Sequence, residues 1–302
     1  MSPRQTLKVA SAQYPIDQPA TLDAWRDKIA LWVADGAATG AEVLMFPEYA
    51  AIEQAAALGE KVYSDLAATL DAVAELEGAR VQLHQELAAK HGVHILVGSG
   101  PSRKGAGRYT NAAQLVTPKG NVGVQEKLVM TPFEVDWGIS ASTEMRVFDT
   151  SLGLIGINIC YDSEFPLLAR AMAEAGTELL LVPSCTERVS GYHRVRTGSR
   201  ARALENQIAA VVSPTVGDAL WSPAVDHNSG AAGIYVPSEH TVSDTGILAQ
   251  GELNAAQWVA ADIDLGRLRH LRNSGEMRNY VDWLNQPGAA KLADKVEVVT
   301  LE

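Results

Sequence analysis

Cysteine is nearly absent from this chain of 302 residues: Cys160 and Cys185 are the only two. Two thiols make no disulfide framework, so the expectation is a protein kept in a reducing, cytoplasmic compartment. No apolar run approaches the roughly 20 residues of a membrane span. The opening stretch from Met1 to Lys8 lacks the apolar core of a secretory signal. Basic excess is missing as well. The net charge is −11 and the pI near 5.1, which argues against nucleic acid or an anionic membrane surface as the main partner. Internal repeats, low-complexity stretches and linkers are also lacking. The expected organisation is one domain over residues 1–280, with a tail over 281–302. That tail is apolar in part (Val281, Trp283, Leu284) and is expected to pack at a subunit interface.

Missing motifs narrow the chemistry further. There is no Gly-x-Ser-x-Gly elbow for a serine hydrolase. The turn-rich loop from Gly98 to Gly107 carries basic charge but lacks the Gly-Lys-Ser/Thr ending of a phosphate loop, and Pro101 interrupts any dinucleotide fingerprint. The seven histidines show no paired-ligand spacing on a helix and there is no Cys-x-x-Cys, so nothing asks for a metal or another cofactor. A Cys–His pair through His193 stays open.

What is present is an ordinary globular balance, 47% hydrophobic and 20% charged. Short apolar runs alternate with helical periodicities along the chain. Strands are expected over about 7–14, 41–46, 93–98, 109–117, 122–130, 177–182 and 208–214, with shorter ones at 231–237, 247–250 and 258–263. Helices are expected over about 21–38, 53–76, 79–91, 191–207 and from 265 onward. Thr131 to Gly138 reads as an irregular loop. The pattern gives an α/β domain with two layers of sheet.

The chain centres on Gly153 to Pro166, which reads as strand, sharp elbow, helix. Cys160 sits on the elbow, at the carboxyl end of an apolar strand and near a helix start, a location expected to favour the thiolate. Asp162 or Ser163 suits a helix cap and Pro166 a first turn. Glu48 lies where the strand ending at Phe46-Pro47 gives way to a loop, a preferred place for reactive groups in α/β sheets. Lys127 sits on the strand after the Pro118–Asn121 turn. Taken singly, each has a plainer role: Cys160 a packed core thiol, Glu48 a solvated carboxylate or cap, Lys127 an exposed strand lysine, Glu134 a loop charge.

Together these residues resemble the nitrilase superfamily, thiol carbon–nitrogen hydrolases with a Glu-Lys-Cys triad. The resemblance rests on Phe46-Pro47-Glu48, on Glu126-Lys127-Leu128, on Asn158-Ile159-Cys160-Tyr161-Asp162-Ser163-Glu164-Phe165-Pro166 and on Arg200 to Gln207, with Ala10-Ser11-Ala12-Gln13 at the start. It spans about residues 6–272 in the family's order. It implies a four-layer αββα sandwich that dimerises into αββα–αββα, as a homodimer or higher even-numbered homo-oligomer. It also implies catalysis by Glu48, Lys127 and Cys160, with Glu134 similar to the second glutamate that many members carry.

The chemistry asks for these residue types. An amide carbon is a poor electrophile, so a covalent thioester route needs a thiol, a base and an oxyanion partner. Cys160 would attack, Glu48 would move the proton, and Lys127 with the Tyr161 backbone N–H would hold the oxyanion. Tyr49, Trp137 and Glu164 are expected to line the pocket, together with Cys185, Thr186 and Glu187. True nitrilases are usually similar to Cys-Trp-Glu after the nucleophile, whereas Cys160-Tyr161-Asp162 looks like the amidase and carbamoylase branches. The expected substrate is therefore a small primary amide. Carbamoyl-amine hydrolysis, nitrile hydrolysis, acyl transfer and a non-enzymatic binding role are the competing readings.

Overall fold

Alternate residues of the first strand feed two different cores, and that alternation sets the architecture. The computed structural model describes residues 4–105 and 107–287. Strand β1 (Thr6–Pro15) sends Leu7 and Val9 into one apolar cluster and Ala10, Ala12 and Tyr14 into another. Strand β2 (Val43–Met45) repeats this, with Val43 and Met45 on the first side and Leu44 on the second. Side chains of a strand alternate between faces, so each face of this sheet is covered.

The first sheet runs β5 (Val122–Glu126), β4 (Tyr109–Val116), β3 (His94–Arg103), β2, β1 and β13 (Gln257–Asp264). Its core strands β1, β2 and β3 are parallel. The second sheet runs β6 (Val147–Thr150), β7 (Gly153–Ile157), β8 (Leu179–Ser184), β9 (Ala209–Asp218), β11 (Gly233–Tyr235) and β12 (Ile247–Gln250), with β10 (His227–Asn228) extending the end of β9. The two meet edge-on only where Tyr14 and Pro15 pair with Thr215 and Val216. Elsewhere they face each other: Val9, Val43, Met45 and Leu96 of the first share a cluster with Ile155, Ile157, Leu180 and Val211 of the second. Hydroxyls stitch the faces together. Ser11 Oγ donates to the Val212 carbonyl at 2.7 Å, and Ser213 Oγ donates to the Ala12 carbonyl at 2.7 Å.

Helices close both outer faces. Helix α1 (Leu22–Ala38), started by the Thr21 hydroxyl, and α4 (Glu77–His91) cover the first sheet through Trp25, Ile29, Val33, Leu83 and Leu87. Helices α6 (Pro166–Glu174) and α7 (Val189–Asn206) cover the second. The result is the expected four-layer αββα sandwich. Strands β2, β7 and β8 run parallel through β1 and β9 and end toward one side, so Glu48, Cys160 and Cys185 follow the carboxyl ends of strands from both sheets.

Local departures have local causes. The helix expected over 53–76 is three pieces: a 3-10 segment Ala50–Leu58, α2 (Glu60–Tyr63) and α3 (Leu66–Glu75). Gly59 at φ +91° breaks the first, and the Asp65 carboxylate caps the last by accepting from the Ala68 N–H. The strand expected to reach Met130 stops at Glu126, so Lys127 lies just past it. The loop expected at Thr131–Gly138 contains α5 (Pro132–Asp136), which starts with a capping box between Thr131 and Glu134. Helix α8 (Leu265–Ser274) follows β13. The described part of the tail is helical in α9 (Asn279–Asp282), and Arg170 of the same chain stacks on Tyr280 and Trp283 at 4.6 and 4.9 Å. Residues 288–302 of the expected interface tail lie outside the described residues.

Candidate active site

Lys127, one residue beyond β5, has its backbone N–H bound to the Asn111 carbonyl at 2.8 Å, which continues the β4 pairing and turns the side chain inward. Its ammonium lies between two carboxylates, 2.7 Å from Glu48 Oε1 and 2.6 Å from Glu134 Oε2. All three side chains are at most 2% exposed. One cation between two anions compensates a burial that none could tolerate alone. Burial by itself would push the lysine down, but Glu48 and Glu134 outweigh it and hold the ammonium protonated.

Glu134 is the carboxylate with more hydrogen-bond donors around it. It accepts from Lys127, from the Tyr49 hydroxyl at 2.8 Å, from Asn111 Nδ2 at 3.0 Å and from the Thr131 N–H and hydroxyl at 2.9 Å. Burial would raise it, yet Lys127 and these donors hold it below the ordinary glutamate value. Glu48 is different. Its Oε1 accepts from Lys127 and from Asn111 Nδ2 at 2.9 Å, and its Oε2 accepts from the Cys185 backbone N–H at 2.9 Å. Burial raises it above the usual glutamate range, against Lys127 and with help from Glu134. Three donors and no acceptor around Glu48 require the carboxylate form, so it is an ionised group of elevated basicity.

Cys160 opens a five-residue 3-10 turn, Cys160–Glu164, rather than a long helix, and sits at φ +47°. This left-handed conformation is uncommon for a residue with a side chain and presents the sulfur off the strand end. The thiol accepts from the Ser184 hydroxyl at 3.5 Å, donates to the Cys185 carbonyl at 3.7 Å and feels the charges of Glu48 and Lys127. The expectation of a thiolate is overturned. Burial pushes the thiol well above its ordinary value, Glu48 adds to this, and Lys127 opposes it without prevailing. The resting pair is therefore thiol and carboxylate.

Asp162 fastens this turn to the lysine segment. Its buried carboxylate accepts from the Ile159 N–H at 3.1 Å, the Val129 N–H at 2.8 Å and the Leu128 N–H at 3.2 Å. The residue read from sequence as a cap is thus a clamp between two chemistry-bearing segments. Burial pushes it up to about 7 despite Lys127 and the three donors. A raised folded-state value means that its contribution to stability falls as pH climbs from the unfolded value to about 7. Asp162→Asn, which cannot ionise, should remove that part of the slope, so stability by urea denaturation should differ less between pH 4 and pH 8 than in the parent.

The four residues floor a cavity of about 690 Å³, a size suited to a small molecule. Tyr49 and Trp137 form an edge-to-face wall, with ring centroids 5.8 Å apart. Tyr161 and Glu164 line the side of the 3-10 turn, and Cys185, Thr186 and Glu187 line the side that follows β8. His193 does not line the cavity and packs against Tyr192 instead, so the Cys–His alternative falls. Sequence reading missed Asn111, Arg194 and His227. Asn111 had one weak signal, an amide beside the Ala112-Ala113 pair of β4. Among the described residues the only group spaced to hold a cation is Glu239, His240 and Glu276, mostly exposed, and none of them lines the cavity.

Residues 8–273 match the family model for carbon-nitrogen hydrolases. The chain belongs to the carbon-nitrogen hydrolase family. It is 34% identical over 277 residues to the probable hydrolase YhcX of Bacillus subtilis, covering 91% of this chain and 53% of that protein. The chain thus spans about half the length of that relative. It is 27% identical over 216 residues to the omega-amidase NIT2-B of Xenopus laevis, 68% of this chain and 73% of that one. In fold, this carbon-nitrogen hydrolase is similar to Saccharomyces cerevisiae Nit3, a member of branch 10 of the nitrilase superfamily (TM-score 0.71, 20% identity, 90% of this chain and 95% of that chain). It is also similar to a carbon-nitrogen hydrolase from Helicobacter pylori (TM-score 0.75, 18% identity, 97% and 99%).

Proposed function

We propose that this carbon-nitrogen hydrolase is an amidase that cleaves a small primary amide to carboxylate and ammonia through a thioester on Cys160. The observation that carries the reading is the Glu48 carboxylate, held by Lys127, Asn111 and the Cys185 N–H beside a thiol that burial keeps protonated. The Cys160 proton passes to Glu48 as the sulfur attacks the amide carbon. Negative charge develops on the carbonyl oxygen, where Lys127 and the Tyr161 backbone N–H stabilise it. Glu48 then returns the proton to the departing nitrogen, ammonia leaves, and the thioester forms. In the second half Glu48 takes a proton from water, hydroxide adds to the thioester carbon, the carbon–sulfur bond breaks to release the acid, and the proton goes back to sulfur. Glu134 holds Lys127 in place throughout. The omega-amidase relatives and the deaminated glutathione amidase of Yersinia enterocolitica support an amide substrate.

A coupled ammonia assay across primary amides, ureido compounds and nitriles tests this. Amides should lead the panel; preference for a nitrile or a ureido compound would replace the reading with its competitor. Release of free acid in water, without an amine acceptor, separates hydrolysis from acyl transfer.

The pH profile is a second expected result. Activity needs Glu48 ionised and Cys160 protonated. Glu48 is raised by burial, so the acid limb of kcat/KM should lie above the ordinary glutamate value of 4.5. The thiol is raised well above 9, so no loss from thiolate formation should appear up to about pH 9. An acid limb at or below 4.5 would show that Glu48 is not the group that titrates.

A further inference from the structure

Besides the sequence neighbours Glu187 and Arg188, the cavity lining carries an opposed pair of charges from two different elements that the amide chemistry does not use. Glu164 ends the 3-10 turn that Cys160 begins, and its Oε1 lies 3.4 Å from Arg194 Nε. Both residues line the cavity. Their meeting is built by backbone. At Gly198 of α7 an added Cβ would sit 2.8 Å from the Ser163 carbonyl oxygen and 3.4 Å from Glu164 Cα, so only glycine lets the helix lie this close to the turn. Arg202 Nη1 fastens the same contact by donating to the Ser163 carbonyl at 3.2 Å. Arg194 lies one helical turn before Gly198 on the same face, and so stands over Glu164.

The pair is loosely made. A single Nε contact at 3.4 Å leaves both η nitrogens of Arg194 and Oε2 of Glu164 with no hydrogen bond among the described residues. Arg194 is 61% exposed and Glu164 21%, so the arginine lies toward solvent and the carboxylate deeper in the wall. Exposed pairs of this kind contribute little by themselves, whereas a guanidinium that meets a carboxylate on two nitrogens binds well.

We infer that Glu164 and Arg194 read a zwitterionic α-amino acid head, so that the preferred substrate is the ω-amide of an α-amino acid. This rests on the amidase reading of the same cavity. The ammonium and carboxylate of such a head share one carbon, which matches two protein charges a few ångströms apart. Cys160 and Glu164 stand at the two ends of one five-residue turn and both line the cavity, so the head would lie a short linker away from an amide carbon held at the sulfur.

The test compares kcat/KM for glutamine (both enantiomers), glutaramic acid (carboxylate only), 4-aminobutyramide (ammonium only) and butyramide (neither). One glutamine enantiomer should exceed butyramide by about 10- to 100-fold, with the singly charged amides between. In Glu164→Gln the advantage of the ammonium-bearing amides over butyramide should fall about tenfold or more; in Arg194→Gln that of the carboxylate-bearing ones should fall likewise. Thermal melts confirm that both variants are folded. Four amides within threefold of one another, or equal loss on all four in both variants, overturns the inference and leaves the amidase reading standing. No ammonia from any amide, butyramide included, overturns both.

Discussion

Cys160→Ala should lower amide turnover by about 10⁴-fold or more and abolish the acyl adduct, with stability within about 2 kcal/mol of the parent. The alanine keeps the Cβ and therefore the same left-handed backbone at φ +47°. What it removes is a sulfur whose polar contacts are long, 3.5 Å to Ser184 Oγ and 3.7 Å to the Cys185 carbonyl. The chemical loss is complete because no other group in the cavity can take its place. Cys185 is held up to about 12 by burial and by Glu48, and its sulfur points to Asn228 Oδ1 at 3.4 Å. Acid quench of the parent enzyme during turnover, followed by peptide mass spectrometry, should place the acyl group on the Cys160 peptide. Turnover within tenfold of the parent in Cys160→Ala would sink the thioester mechanism.

Lys127→Met should remove activity and also destabilise the fold by about 3–5 kcal/mol at pH 7, the largest stability effect expected in the molecule. Methionine fills similar volume but leaves Glu48 and Glu134 buried with no cation between them. The sign of the pH dependence follows. In the parent the lysine is raised above its unfolded value, so its stabilisation is fully present at neutral pH and is lost only as alkali strips the folded-state proton. In the variant both glutamates gain protons more readily when folded than when unfolded. Its stability should therefore be highest in acid and fall as pH rises, and urea denaturation at pH 5 and pH 8 reads the difference. Equal losses at the two pH values would show that the carboxylates are compensated by something other than Lys127.

Much of this site can be read from the chain because Glu48, Cys160 and Cys185 each follow an apolar run, although Lys127 and Glu134 do not. Phe46-Pro47-Glu48, Ile159-Cys160 and Ser184-Cys185 each follow a strand whose composition is plain, and parallel strands deliver their ends to a common side. The two sheet layers follow from the same runs. What escaped reading depends on contacts distant in sequence. Asn111 sits in the middle of β4, and only the fold reveals that its amide joins Glu48 to Glu134, 63 and 23 positions away. Asp162 next to a predicted elbow suits a cap, and its ties to Val129 and Leu128 are invisible until the two segments are side by side. The protonation state of Cys160 was misjudged for the same reason: a strand end near a helix start favours a thiolate, but a carboxylate from another strand reverses the balance. The broken helix after Tyr49 is a local error, since Gly59 and Asp65 are stop and start signals within an alanine-rich run.

A resting sulfur that keeps its proton reacts poorly with alkylating agents and peroxides, because those reagents select the anion. Such a nucleophile is spared in a cell until a molecule with a polarised carbon displaces solvent and lines up with Glu48. Iodoacetamide, itself a small primary amide, would then act as more than a general thiol reagent: it would label this protein faster than iodoacetate of the same size, since only the neutral compound carries the group of the proposed substrate.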